Sequence, residues 1–327
     1  MNLKSGKSTR EAFGLALARI GAEYPDLVVV DGDVHNSTRT EHFARKFPER
    51  FFNVGIAESN LVGVAAGLAG SGKRAWLSSF ACFVMCNAFE QLRMAVAFPC
   101  VDVKVVGTHA GISIGEDGPS QMAIEDVGLA CLLPNFTVVV PADEPAMDQA
   151  VQALAKIKTP AYLRAGRPNV PLVYADGCPL QLGKANQLRD GKDLTLIANG
   201  LMVAPALLAA EMLASKKIEA RVLDMHTVKP LDDAAVLAAA RETGQIVVAE
   251  EHLLHGGLGS AVAMSAARQH PVAMRFIGLQ DTYAESGPPE GLLAKYGLTA
   301  AAIAKAGLDL FGRKSDSFQG KIGRAHV

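Results

Sequence analysis

Val101-Asp-Val-Lys-Val-Val106, running straight into Gly107-Thr-His-Ala-Gly-Ile-Ser-Ile-Gly-Glu-Asp-Gly-Pro-Ser-Gln121, is the stretch that decides the fold. Its first part is a short β-branched strand, and its second is a polar loop with four glycines and a proline. A long glycine- and acid-rich loop at a strand's C-terminal end is where open α/β sheets place their ligands. The same grammar repeats on both sides. A helix over Thr9 to Tyr24 leads to the strand Leu27-Val-Val-Val30, and the strand at Phe51 to Gly55 leads to a small-residue helix over Glu58 to Ala69. Thr137 to Val140 and Thr159 to Leu163 read as further strands. A second series begins at Asp193-Leu-Thr-Leu-Ile-Ala198. It continues through a helix at Ala204 to Ser215, strands at Ala220 to Asp224 and Gln245 to Ala249, and helices at Gly259 to Arg268 and Thr299 to Ala306. Alternating strands and helices predict an α/β fold with two domains and mostly parallel sheets.

Composition bounds the function classes. The chain has 327 residues, 50% hydrophobic and 20% charged, which suits a packed protein of two domains rather than a disordered one. With 32 Lys and Arg against 33 Asp and Glu, there is no chain-wide basic field for nucleic acid. No apolar run is long enough for a membrane span and no secretory leader opens the sequence, so a cytoplasmic location is expected. The five cysteines, at 82, 86, 100, 131 and 178, form no metal-like pattern; Cys82 and Cys86 read as reduced, buried thiols.

Several residues carry two readings. In the loop, His109, Glu116, Asp117, Ser120 and Gln121 offer more donors and acceptors than a turn needs, although a polar surface loop would also hold them. Glu58 is either a favourable first-turn charge or a desolvated carboxyl waiting for a ligand base. Phe80 and Phe83 are core, or a wall on which a planar ring stacks. Arg10 and Arg167 are solvated charges, or a clamp for a phosphate. Asp31-Gly-Asp33 is weak evidence for a metal, and Gly256-Gly-Leu-Gly-Ser260 lacks a full dinucleotide fingerprint.

Taken in order, Asp31-Gly-Asp-Val-His-Asn-Ser-Thr38, Ile56-Ala-Glu-Ser-Asn60, Gly115-Glu-Asp-Gly-Pro-Ser-Gln-Met122, Gly166-Arg-Pro168, Val222-Leu-Asp-Met-His-Thr-Val-Lys-Pro230 and Glu285-Ser-Gly287 resemble the C-terminal half of transketolase. The resemblance implies a pyrimidine-binding parallel-sheet domain over 1–170, a linker over 171–191 and a transketolase C-terminal α/β domain over 192–313. Residues 314–327 are expected to be a disordered tail whose last seven residues read as a sequence artefact.

The resemblance also implies thiamine diphosphate as cofactor and a two-carbon ketol transfer between sugar phosphates. Glu58 is then the catalytic carboxyl against the aminopyrimidine ring, favouring the imino form that activates the thiazolium carbon. Phe80 and Phe83 stack on that ring, Asp33 lies near the cofactor, and Cys86 replaces an aromatic or Arg of other members. His109 and Gln121 are expected to act catalytically by polarising and hydrogen-bonding the donor sugar, and Asp117 to hold a hydroxyl. Arg10, Ser37 and Arg167 match residues that bind the sugar phosphate.

The chain lacks the Gly-Asp-Gly motif and downstream Asn that hold the diphosphate and its Mg or Ca. No metal ligand is therefore expected here. The chain resembles the beta-type subunit of a split transketolase, whose N-terminal-type partner brings the missing domain in a dimer of heterodimers, a heterotetramer. Two enzyme alternatives are the beta subunit of a 2-oxo acid dehydrogenase first component and a 1-deoxyxylulose-5-phosphate synthase-like enzyme; a non-catalytic scaffold is a third class.

Overall fold

A computed structural model describes residues 3–174 and 177–322, with side chains described as far as Gly312. Seven strands form the first sheet, in the order Thr227–Lys229, Thr137–Val139, Ala161–Arg164, Val103–Thr108, Arg74–Phe80, Leu27–Asp31 and Phe51–Asn53. All neighbours are parallel except the first pair. Leu27–Asp31 and Val103–Thr108 are buried along their whole length, because helices cover both faces. Helices Thr9–Glu23 and Glu144–Lys156 pack Phe13, Leu17, Ile20, Met147 and Val151 on one face against Val29 and Trp76. Helix Glu58–Gly70 packs Leu61, Val62 and Ala65 on the other, against Val28, Val30 and Leu77. Ser8 starts the first of these helices by accepting from the Glu11 backbone N–H, and Asp143 caps Glu144–Lys156 through Ala146 at 3.0 Å.

The second sheet has five strands in the order Ala273–Leu279, Gln245–Leu253, Leu194–Ala198, Ala220–Asp224 and Asn186–Arg189, the last pair antiparallel. A single apolar cluster runs through both domains, joining Val138 and Phe136 of the first to Ile246, Val248 and Val262 of the second. Among the described residues no helix is long and apolar enough to cross a membrane.

Three expectations change. The segment expected as linker carries the strand Asn186–Arg189, because its backbone finds the open edge of Ala220–Asp224. Thr227–Lys229, expected to belong wholly to the second domain, adds an antiparallel strand to the first sheet. The last helix spans Ala300–Ile322, so the backbone of residues 314–322 is helical where a disordered tail was expected. No proline interrupts it, and Ile303, Ala304 and Leu310 anchor its start by burial. Residues 323–327 lie outside the described residues.

Candidate active site

The loop 107–121 leaves Val103–Thr108 at the C-terminal edge of the sheet, as expected, and both domains brace it. Ala110 N–H donates to Ala165 O at 3.3 Å, and Gly111 N–H to Ala123 O at 2.7 Å. Ser113 N–H donates to Glu251 Oε1 at 2.7 Å, across from the second domain. Gly111 has φ +82, and a Cβ there would lie 2.1 Å from Glu251 Cδ, so both backbone and space demand glycine.

Behind this brace lies a buried charge network that no sequence motif announces. Arg164 donates to Asp126 through Nε at 2.8 Å and Nη2 at 3.1 Å, and to the carbonyls of Ala123 and Glu251 at 3.1 and 2.9 Å. Tyr162 O–H donates to the same Asp126 at 2.6 Å. Burial pushes the Glu251 carboxyl up to about 7, against the pull of Arg164.

His109 sits at the mouth of this braced loop, buried, with φ +57. Its Nε2 lies 2.7 Å from Arg10 Nη1 and its Nδ1 2.9 Å from Thr108 Oγ1. A guanidinium can only donate, so Nε2 accepts and the proton resides on Nδ1. Thr108 Oγ1 accepts that proton and donates its own to Ser79 O at 3.3 Å. Burial, then the charges of Arg10, Arg167 and Arg39, push the His109 pKa down to about 3, so the ring is neutral. Phe80 stacks on it, with ring centroids 3.9 Å apart, and also on Phe83, at 5.6 Å with nearly parallel planes.

The two expected arginines converge here. Arg10 also donates to the carbonyl of Ser37 at 3.0 Å, so Ser37 meets Arg10 through its backbone rather than its hydroxyl. Arg167 donates to Ile114 O at 2.8 Å and to Asp117 Oδ1 at 3.1 Å, with Glu116 at 3.9 Å. Asp117 is therefore paired to a guanidinium, and His109 Nε2 is an acceptor toward Arg10.

Glu58 is the first residue of its helix and only 6% exposed, and it faces Ser79, the residue before Phe80. Asn87 Nδ2 donates to Oε2 at 3.3 Å and Ser79 Oγ to Oε1 at 3.5 Å, both long, leaving acceptor capacity on the carboxylate. Asn87 and Ser79 escape a reading of the sequence because neither stands in a motif. Asn87 also lines a cleft of about 390 Å³ with Cys82, Phe83, Cys86, Ser120 and Glu125. Gln121 stands beside it, accepting from Ser120 Oγ, while the Cys82 thiol donates to its carbonyl at 3.1 Å. No contact joins Gln121 to His109 among the described residues. Cys86 is exposed, correcting the reading of two buried thiols, while Cys82, on the wall of the same cleft, is buried. Asp33 is exposed and accepts from Asn53 Nδ2 at 2.7 Å; it follows Gly32, which packs near Ser79.

A nearly buried carboxylate with spare acceptor capacity, parallel stacked phenyl rings and an adjoining cleft fit the ring end of thiamine diphosphate. The chain offers no matching cradle for the diphosphate: it has no Gly-Asp-Gly, and among the described residues no cluster of His, Cys, Asp or Glu could hold a metal.

A parallel-sheet domain followed by a smaller α/β domain, with a carboxylate and a basic pocket at the first sheet's edge, defines a class of thiamine-type enzymes. The family models for the transketolase pyrimidine binding domain and the transketolase C-terminal domain match residues 5–173 and 183–303. The chain belongs to the transketolase family, whose members are transferases. It is 40% identical to the putative transketolase C-terminal section of Methanocaldococcus jannaschii, over 91% of this chain and 95% of that one. It is 38% identical to one of the subunits of the apulose-4-phosphate transketolase of Phocaeicola vulgatus, over 92% of this chain and 96% of that one. A split-gene transketolase solved as an inactive beta4 tetramer superposes with a TM-score of 0.88 at 45% identity, covering 94% of this chain and 99% of that one. Against single-chain transketolases, which it also matches, the chain spans about half their length.

Proposed function

We propose that this chain is the beta-type subunit of a thiamine-diphosphate-dependent transketolase, active with a partner that supplies the diphosphate and metal site. The observation that carries the reading is that Arg10, His109, Asp117 and Arg167, scattered along the first domain, meet at one loop, and that Ser79 links this loop to Glu58, its carbonyl accepting from Thr108 and its hydroxyl reaching the carboxylate. The chemistry the cofactor supplies when bound is a carbon nucleophile for a ketose carbonyl.

This chain's residues then divide the work. Glu58 would hold a proton against a ring nitrogen, its orientation set by Asn87 and Ser79. Phe80 and Phe83 would cover the ring and exclude water. Arg10 and Arg167 form a two-guanidinium clamp suited to a phosphate dianion, while Asp117 would bind a sugar hydroxyl once Arg167 turns to the phosphate. His109 would take a hydrogen bond from a substrate hydroxyl at Nε2, held in the right tautomer by Thr108. Asp33 would lie near the cofactor and Gln121 would hydrogen-bond the sugar chain. Relatives named for 6-deoxy-6-sulfo-D-fructose and for apulose 4-phosphate support a ketose that carries an anionic group, without choosing among such sugars.

The test is a coupled assay of the complex reconstituted with the partner subunit. Ketol transfer from xylulose 5-phosphate is expected. Turnover of pyruvate without ketol transfer would overturn the reading in favour of a 2-oxo acid dehydrogenase component.

A further inference from the structure

The loop 107–121 grows out of the first domain's strand Val103–Thr108, yet its apolar side chains do not pack there. Ile112 and Ile114, both fully buried, belong to the second domain's core, together with Leu279, Leu292 and Ile303. Helix Pro289–Lys295 of that domain lies against the turn Ile112–Ile114. The segment Glu285-Ser-Gly287, just before this helix, grips the tip of the loop. A Cβ on Gly118 would stand 2.4 Å from Ser286 Oγ, and one on Gly115 would stand 2.9 Å from Pro289 Cγ and 3.2 Å from the Gly287 carbonyl. Glu285 ties the segment to the end of the helix, pairing with Lys295 and accepting from Tyr296 O–H at 3.2 Å.

Ile114 faces both domains. Its side chain sits in the second domain's core, while its carbonyl accepts from Arg167 at 2.8 Å. The same Arg167 nitrogen donates to Asp117, three residues further on, at 3.1 Å. The stretch between is tightly turned: Gly115 N–H donates to Ile112 O at 3.1 Å and Gly118 N–H to Gly115 O at 3.2 Å. A shift of Ile114 is therefore passed to both the guanidinium and the carboxylate. Ser79 and Asn87, which hold Glu58, come instead from the first domain.

We propose that the second domain positions the sugar-phosphate clamp: Leu292, in the core with Ile112 and Ile114, and Ser286, pressed on Gly118, fix where Arg167 and Asp117 stand. Both are positioning residues that act through the loop. Affinity for the phosphorylated sugar is then set from outside the domain that carries the clamp, while the Glu58 side is independent of it. A clamp misplaced by about an ångström loses up to about a hundredfold, so a cavity beneath the loop is enough to be read in KM. The inference rests on the transketolase reading but is tested separately from it.

In the complex reconstituted with the partner subunit, Leu292→Ala opens that cavity. KM for xylulose 5-phosphate is expected to rise by about tenfold, with Kd for thiamine diphosphate kept within about twofold. Leu292→Met, which conserves volume, is expected to keep the wild-type KM. Ser286 is exposed, so Ser286→Leu crowds Gly118 without disturbing the core; it should raise KM with the unfolding midpoint unchanged. Calorimetry with inorganic phosphate reads the clamp without turnover, and Leu292→Ala should weaken that binding in step with KM.

A lowered unfolding midpoint with KM and phosphate affinity both unchanged would make the second domain a structural support only, and overturns the proposal. An equal loss of thiamine diphosphate affinity overturns it too. Should Leu292→Ala fail to assemble, an unchanged KM in Ser286→Leu decides against it. If phosphate binds the wild-type complex and is lost in Leu292→Ala, but no ketol group is transferred, the transketolase reading fails and the positioning role stands.

Discussion

Around His109 both ring nitrogens are taken, at 2.7 and 2.9 Å, and the loop that carries them is braced from two domains. Around the Glu58 carboxylate, among the described residues, the bonds are at 3.3 and 3.5 Å, beside an open cleft. The His109 side is thus held within one polypeptide and the Glu58 side is left loose; on the proposed reading these are the sugar-facing and cofactor-facing halves of the site. A site that is finished by a second chain benefits from being adjustable on the side that chain approaches, and rigid on the side it does not touch.

The largest effect that would sharpen this contrast comes from Glu58. Glu58→Gln keeps the shape and removes the ionisable group, so kcat of the reconstituted complex is expected to fall by roughly 10² to 10⁴, with the chain's own unfolding midpoint unchanged. A loss of less than about tenfold would break the comparison, because the loose half would then contribute little chemistry. Next is Arg164→Met, aimed at the braced half. It leaves Asp126 buried and unpaired, with an expected loss of about 3–5 kcal/mol in urea unfolding. If stability falls by under about 1 kcal/mol, the brace is not what holds the loop.

Arg167→Ala should be gentler. Loss of a charge-assisted contact to the donor phosphate should raise KM by about 10- to 100-fold with kcat largely kept. A fall in kcat at constant KM would count against it as a phosphate ligand.

The smallest expected effect is in pH dependence. Glu251 gives up its proton in the ordinary carboxyl range when unfolded but holds it to about 7 when folded. The native chain therefore binds the extra proton between those values, and its stability falls as pH rises through that window. Glu251→Gln should flatten the fall between pH 5 and 8 by on the order of 1–2 kcal/mol. Asp224, also pushed to about 7 by burial, adds to the wild-type slope, so the difference between the two slopes is what is read. Equal slopes would remove Glu251 as its source.

Much of this was legible in the sequence because it is local. Val103–Thr108 and Leu27–Asp31 announce themselves as β-branched runs, and His109, Asp117 and Gln121 sit in one loop whose glycines mark it. What stayed hidden depends on pairings distant in the chain. Ser113 meets Glu251 across 138 positions and Arg164 meets Asp126 across 38, and neither pairing leaves a periodic trace. Arg10 and His109 were read separately in the sequence, and nothing in it announces the bond between them across 99 residues. Asn186–Arg189 lay among turn-forming residues, and only the free edge of Ala220–Asp224 makes it a strand.

The crossing strand Thr227–Lys229 has a practical meaning for anyone handling fragments of this protein. A piece ending between the two family-model matches, after residue 173 and before 183, would carry the first sheet with Thr137–Val139 uncovered. Bare strand edges recruit other chains, so such a piece should be poorly soluble and prone to pair with itself. The two domains therefore behave as one unit of expression: they can be separated on paper by sequence similarity, but each leaves part of its surface in the keeping of the other.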